Sequence, residues 1–144
     1  MVSENLWNKT AARQEISAFS EDYRAFLTAC KTERECVSYM ADRLQAGGYQ
    51  KLSDVIRENR PLASGDKVYA DMMGKALLIF QIGKRPVTEG MRILGAHIDS
   101  PRLDLKQRPL YEDGELVMLD THYYGGIKKY QWTALPLALH GVIV

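Results

Sequence analysis

Apolar side chains recur at spacings of three and four through residues 14–30, as Ile16, Phe19, Tyr23, Phe26, Leu27 and Cys30. That period places them on one face and predicts an amphipathic helix whose aromatic stripe joins the core. Thr32-Glu33-Arg34-Glu35 then reads as a capping box. The threonine hydroxyl serves one orphan amide of a helix start, and Glu35 reaches back to another. A second helix is expected from Thr32, with Val37, Met40, Ala41 and Leu44 as its apolar stripe and Gly47-Gly48 as a left-handed stop. Past Tyr49 the pattern changes. Residues 52–58 read as a short helix and 61–66 as a loop. Residues 67–73 and 75–82 read as two strands, and the second is so nearly apolar throughout that burial on both faces is expected. A loop over 83–90 leads to a further strand, 91–98.

After Pro101 the texture shifts to alternation, over 103–111 and again over 115–121. Glu112-Asp113-Gly114 lies between, and Asp-Gly is a hairpin signal. Residues 136–144 (PLALHGVIV) form one more β-prone run. An uncharged strand at the end of a chain is an exposed edge in need of a partner. It reads either as a fold that continues past residue 144 or as the closing strand of a small domain. Helices followed by a meander and an apolar strand indicate an α/β or α+β sheet domain.

Composition narrows the function only by exclusion. Across 144 residues, 46% are hydrophobic and 26% charged, which is ordinary for a globular chain. Nineteen Lys and Arg against eighteen Asp and Glu leave a net charge of +1. No basic arm or acidic tail stands out, so nothing supports a nucleic-acid partner. Cys30 and Cys36 are not spaced as CxxC and read as two reduced thiols. No signal-peptide run is visible, and the longest apolar stretch, 76–80, is too short for a bilayer. A cytoplasmic protein without a membrane partner is expected.

Chemistry concentrates in Gly95-Ala96-His97-Ile98-Asp99-Ser100-Pro101. In an extended chain residues i and i+2 point to the same side, so His97 and Asp99 can enter one cleft at a strand end. A neutral imidazole is a good zinc ligand, and its other nitrogen needs a carboxylate or carbonyl to fix tautomer and orientation. His-x-Asp supplies both parts. Asp99-Ser100-Pro101 is also a plain turn opening, and zinc wants three or four protein ligands. One histidine does not make a site. His122 and His140 have no partners in spacing and read as strand-surface or core histidines.

The stretch GAHIDSPRLDLKQRPLY, followed by HYYGGIKKYQW and PLALHGVIV, resembles the M18 family of metallo-aminopeptidases, the group containing aspartyl aminopeptidase and aminopeptidase I. The family's His-Thr-Asp-Ser-Pro motif, with its following leucine and lysine, is matched by His97, Ile98, Asp99, Ser100, Pro101, Leu103 and Lys106. Its Tyr-Gly-Gly element is matched by Tyr124, Gly125 and Gly126. The resemblance implies a zinc-dependent aminopeptidase acting on peptide substrates through a two-metal centre, where other divalent ions can substitute. It implies that His97 is a metal ligand and that Asp99 orients it. The family's remaining ligands, a bridging aspartate, a Glu-Glu pair with the general base, a further acid and a histidine, are not found in this sequence. Residues 1–100 would then be the N-terminal part of a zinc-peptidase-like mixed-sheet catalytic domain. Residues 101–144 would begin a β-rich inserted dimerisation domain of a homo-oligomer. The family's Trp-Phe-Asp-Arg-Asp-Leu run is replaced by Ile127-Lys128-Lys129-Tyr130-Gln131-Trp132, which sets this chain on a divergent branch and puts aspartyl specificity in doubt. The competing reading is a non-catalytic module that keeps the fold and acts by assembly. With one ligand, the 144-residue chain alone is expected to bind zinc weakly and to be inactive.

Overall fold

The computed structural model describes residues 12–143. The chain divides into two compact units, between Pro86 and Val87.

The first unit opens with a helix pair, α1 (Arg13–Ala29) and α2 (Glu33–Ala46). The capping box forms as expected. Thr32 Oγ1 accepts the Glu35 amide at 3.3 Å, and Glu35 Oε2 accepts the amides of Lys31 at 2.8 Å and Thr32 at 2.9 Å. Three donors at the turn between the helices are thereby satisfied. Gly48, at φ 81°, supplies the left-handed exit from α2. Phe26 meets Tyr39 edge to face, ring centroids 5.5 Å apart, and Arg43 forks onto both oxygens of Asp22 at 2.8 and 3.1 Å. The rest of the α1 stripe departs from expectation. Phe19 is 75% exposed and Tyr23 54%, and Ile16 and Leu27 are exposed as well, while Cys30 is buried. The 3.6-residue period correctly marks a face. In this unit α2 covers that face only near Phe26 and Cys30.

The sheet of this unit has the order β1-β2-β3. Strand β1 (Gln50–Lys51) runs parallel to β2 (Lys67–Met72), which pairs antiparallel with β3 (Ala76–Gln81), so the sheet is mixed. Helix α3 (Leu52–Arg57) follows β1 directly. Val68 and Tyr69 point to opposite faces of the central strand, yet each is 1% exposed, so β2 is covered on both sides. They join Cys36, Val37 and Leu44 of α2 and Val55 of α3 in the core. Gln45 Nε2 donates to the Tyr69 hydroxyl at 2.7 Å. Burial of β3 on both faces does not hold: Leu78, Ile79 and Phe80 are exposed. Among the described residues β3 is the outer strand, with β2 as its one neighbour.

The second unit begins with a 3-10 turn, Val87–Glu89. The strand expected over 91–98 is absent, and Ile93 and Leu94 are open to solvent. A strand exists only as one side of a ladder, and among the described residues no other segment pairs with this one. The same holds for the β-prone run at 136–143; Val144 lies outside the described residues. The predicted hairpin is present, β4 (Arg102–Asp113) with β5 (Leu116–Tyr124). Its two central turn residues are Gly114 at φ 57° and Glu115 at φ 64°, one position later than Asp-Gly alone would place them. Pairing is interrupted between Leu105 and Leu110, where Lys106-Gln107-Arg108-Pro109 bulges out opposite Asp120. Proline has no amide to give a ladder, so Pro109 belongs at such a break. A short helix, α4 (Lys129–Trp132), follows.

Candidate metal centre

His97 and Asp99 lie in the irregular segment that leads into β4, not at the end of a strand. Their side chains nonetheless meet. His97 Nδ1 is 2.8 Å from Asp99 Oδ1 and 3.1 Å from the Asp99 carbonyl oxygen. Both partners are acceptors, so Nδ1 carries the proton and donates. In a neutral imidazole that arrangement leaves the lone pair on Nε2, the form a metal ligand needs. The His97 side chain is 83% exposed, and among the described residues nothing engages Nε2. The Asp99 carboxyl is held below the usual carboxylate range, first by the hydrogen bond from His97 and then by one from the Tyr124 hydroxyl. Donors beside a carboxylate stabilise its charged form.

These residues fit one ligand position and no more. Among the described residues no group of three His, Cys, Asp or Glu side chains is placed to hold an ion. His122 sits exposed on β5, its Nδ1 3.0 Å from the Tyr123 carbonyl oxygen, and acts as a strand-surface histidine. His140 is likewise exposed. Lys106 spends its charge on Asp120 across the bulge at 3.1 Å.

A family model described as aminopeptidase I zinc metalloprotease (M18) matches residues 26–144. The chain belongs to the M18 aminopeptidase family. It is 55% identical over 142 residues to a probable M18 family aminopeptidase 1 of Clostridium acetobutylicum, covering 97% of this chain and 30% of that protein. The corresponding protein of Thermotoga maritima is 40% identical over 143 residues, covering 99% and 30%. Among solved structures, aminopeptidase I from Borrelia burgdorferi B31 matches with a TM-score of 0.81 at 39% identity, over 90% of this chain and 31% of that one. Aminopeptidase I from Clostridium acetobutylicum matches with a TM-score of 0.78 at 53% identity, over 100% and 32%. This M18 chain therefore spans about a third of the length of the relatives it matches. No described helix is long and apolar enough to cross a membrane.

One participant escaped the sequence reading. Tyr124 stood out only as part of Tyr-Gly-Gly, with nothing to connect it to Asp99. Counting back from the hairpin turn sets Tyr124 opposite Leu105, whereas the bulge shifts it opposite Arg102, three residues from Asp99. Pro109 inside an alternating run was the signal that the register slips.

Proposed function

We propose that this chain is the N-terminal portion of a zinc-dependent aminopeptidase that removes residues from the N-termini of peptides, with His97 as one ligand of a two-metal centre and Asp99 as the group that orients it. The observation that carries the reading is the 2.8 Å contact between His97 Nδ1 and Asp99 Oδ1, which leaves Nε2 facing outward. Asp99 stays ionised and keeps the proton on Nδ1, so the lone pair remains on the outward nitrogen. Zinc, when bound, supplies a Lewis acid that lowers the pKa of a water and polarises a carbonyl. Residues 1–100 belong to the catalytic domain in this reading and 101–144 to the start of the dimerisation domain. The intact protein is a cytoplasmic homo-oligomer whose other ligands and general base lie outside this chain.

The test is His97→Ala in the intact protein. Most peptidase activity is lost and the zinc content falls. Full activity with full metal content removes His97 from the ligand set. Peptidase activity from the pure 144-residue chain would overturn the incomplete site.

A further inference from the structure

We infer that the bulge in β4 is a binding site for an oxyanion, a phosphate group in preference to a carboxylate, with Arg108 as its anchor and Gln107 and His122 beside it. Nothing in this site depends on the ligand role of His97.

The two strands of the hairpin are unequal at this point. Leu105 pairs with Thr121 and Leu110 with Leu119, so β4 uses Lys106, Gln107, Arg108 and Pro109 where β5 uses Asp120 alone. A bulge re-aims side chains that a regular ladder would hold in fixed alternation. Beside this one lies a cleft of about 690 Å³, lined by Leu105, Lys106, Gln107, Arg108, Asp120 and His122. Small-molecule sites span roughly 300–1,000 Å³, so the cleft has room for an anionic group and the molecule that bears it.

Charge in the cleft does not cancel. Lys106 Nζ is 3.1 Å from Asp120 Oδ2, which pairs one cation with the one acid of the lining. Asp104, directly across the ladder from His122, is likewise held by Arg102 Nε at 2.7 Å. Glu112, Asp113 and Glu115, the acids of the hairpin tip, do not line the cleft. Arg108 is the cation left over. It is exposed, and among the described residues it has no hydrogen bond and no ion pair; the Gln107 side chain is uncommitted in the same way. A guanidinium fork matches the paired oxygens of a phosphate or a carboxylate, and a primary amide adds a donor. His122 distinguishes the two anions. Its Nδ1 donates to the Tyr123 carbonyl oxygen at 3.0 Å, so in the neutral ring Nε2 is an acceptor. Hydrogen phosphate carries a hydroxyl to donate to that nitrogen, and an ionised carboxylate has none.

Inorganic phosphate, titrated into the 15N-labelled 144-residue chain, shifts the side-chain signals of Gln107 and Arg108 and the ring nitrogens of His122, and the shifts saturate. Acetate at the same ionic strength binds more weakly. Arg108→Gln removes the charge and weakens phosphate binding about 10-fold, the scale of one lost charge-assisted contact. Arg108→Lys keeps the charge but not the fork and falls between. Arg85→Gln, in the loop after β3, leaves binding unchanged. The amide signals of β4 and β5 report whether each variant keeps the hairpin; if Arg108→Gln loses it, Arg108→Lys carries the test. Phosphate that leaves the bulge signals in place, or that shifts Lys84 and Arg85 as much as Arg108, overturns the site. So does undiminished binding by a folded Arg108→Gln. Acetate binding as tightly as phosphate overturns the part given to His122 and makes the bulge a carboxylate site anchored by Arg108.

Discussion

Gly125 and Gly126 are adjacent, yet the structure separates them sharply. Gly125 has φ 75°, and a Cβ there meets backbone and ring atoms of Pro101 at 3.4, 3.7 and 3.7 Å. At Gly126 the backbone is not left-handed and nothing lies within 4 Å of an added Cβ. The contacts at Gly125 sit at the near edge of ordinary van der Waals distance and add little. The backbone dominates, since a left-handed conformation costs an L-residue roughly 1–2 kcal/mol. Gly125→Ala therefore destabilises the second unit by about 1–2 kcal/mol, whereas Gly126→Ala is neutral or stabilises by ~0.4–1 kcal/mol through the unfolded chain. Urea unfolding followed by the amide NMR signals of β4 and β5 reads this unit apart from residues 1–86. Equal effects of the two substitutions, or a stabilising Gly125→Ala, would refute the assignment of strain to Gly125.

Three further outcomes are expected. Thr32→Ala costs about 1 kcal/mol of stability, and combining it with Glu35→Ala costs less than the sum, because both substitutions remove the bond that Thr32 Oγ1 donates to Glu35 Oε2 at 3.2 Å; a double-mutant cycle in urea measures this. Asp66 is held below the usual carboxylate range, first by the Ala63 amide and then by Arg60, each 2.8 Å from Oδ2. A lowered folded value means its stabilisation is complete above the unfolded pKa near ~3.9 and is lost as pH falls through the folded one. Asp66→Asn should flatten the acid limb of a stability–pH curve below that point; an unaltered limb would show that the pair contributes nothing. Burial pushes the Cys30 thiol up to about 11, and Cys36 is raised as well. An aromatic disulfide reagent near neutral pH should label both only after unfolding, and rapid labelling of the native chain would contradict their burial.

What the chain disclosed in advance follows how local each interaction is. Thr32 and Glu35 are three residues apart, and their capping box forms as the pattern demands. The two hairpins are likewise short-range, and both are present. His97 and Asp99 are two residues apart and do meet, although through an irregular segment. Features that need distant partners were less legible. Residues 91–98 have a strand's composition, but a pattern of side chains names no partner for its amides. The aromatic stripe of α1 marks a face without saying how much of it is covered. Tyr124 comes to stand opposite Arg102 only through the bulge at Lys106–Pro109, and Pro109 marks a break in the ladder without giving the size of the shift.

The outer position of β3 also bears on how the chain behaves at high concentration. Residues 76–81, ALLIFQ, are six uncharged residues without proline on an outer strand with exposed Leu78, Ile79 and Phe80. That composition and placement suit edge-to-edge stacking into cross-β fibrils. Lys75 stands immediately before the segment and Lys84-Arg85-Pro86 shortly after it. Like charges on incoming copies repel, and a proline cannot extend the ladder, so these four residues occupy gatekeeper positions. The colloidal stability of a preparation of this chain rests on them more than on its nearly neutral overall charge.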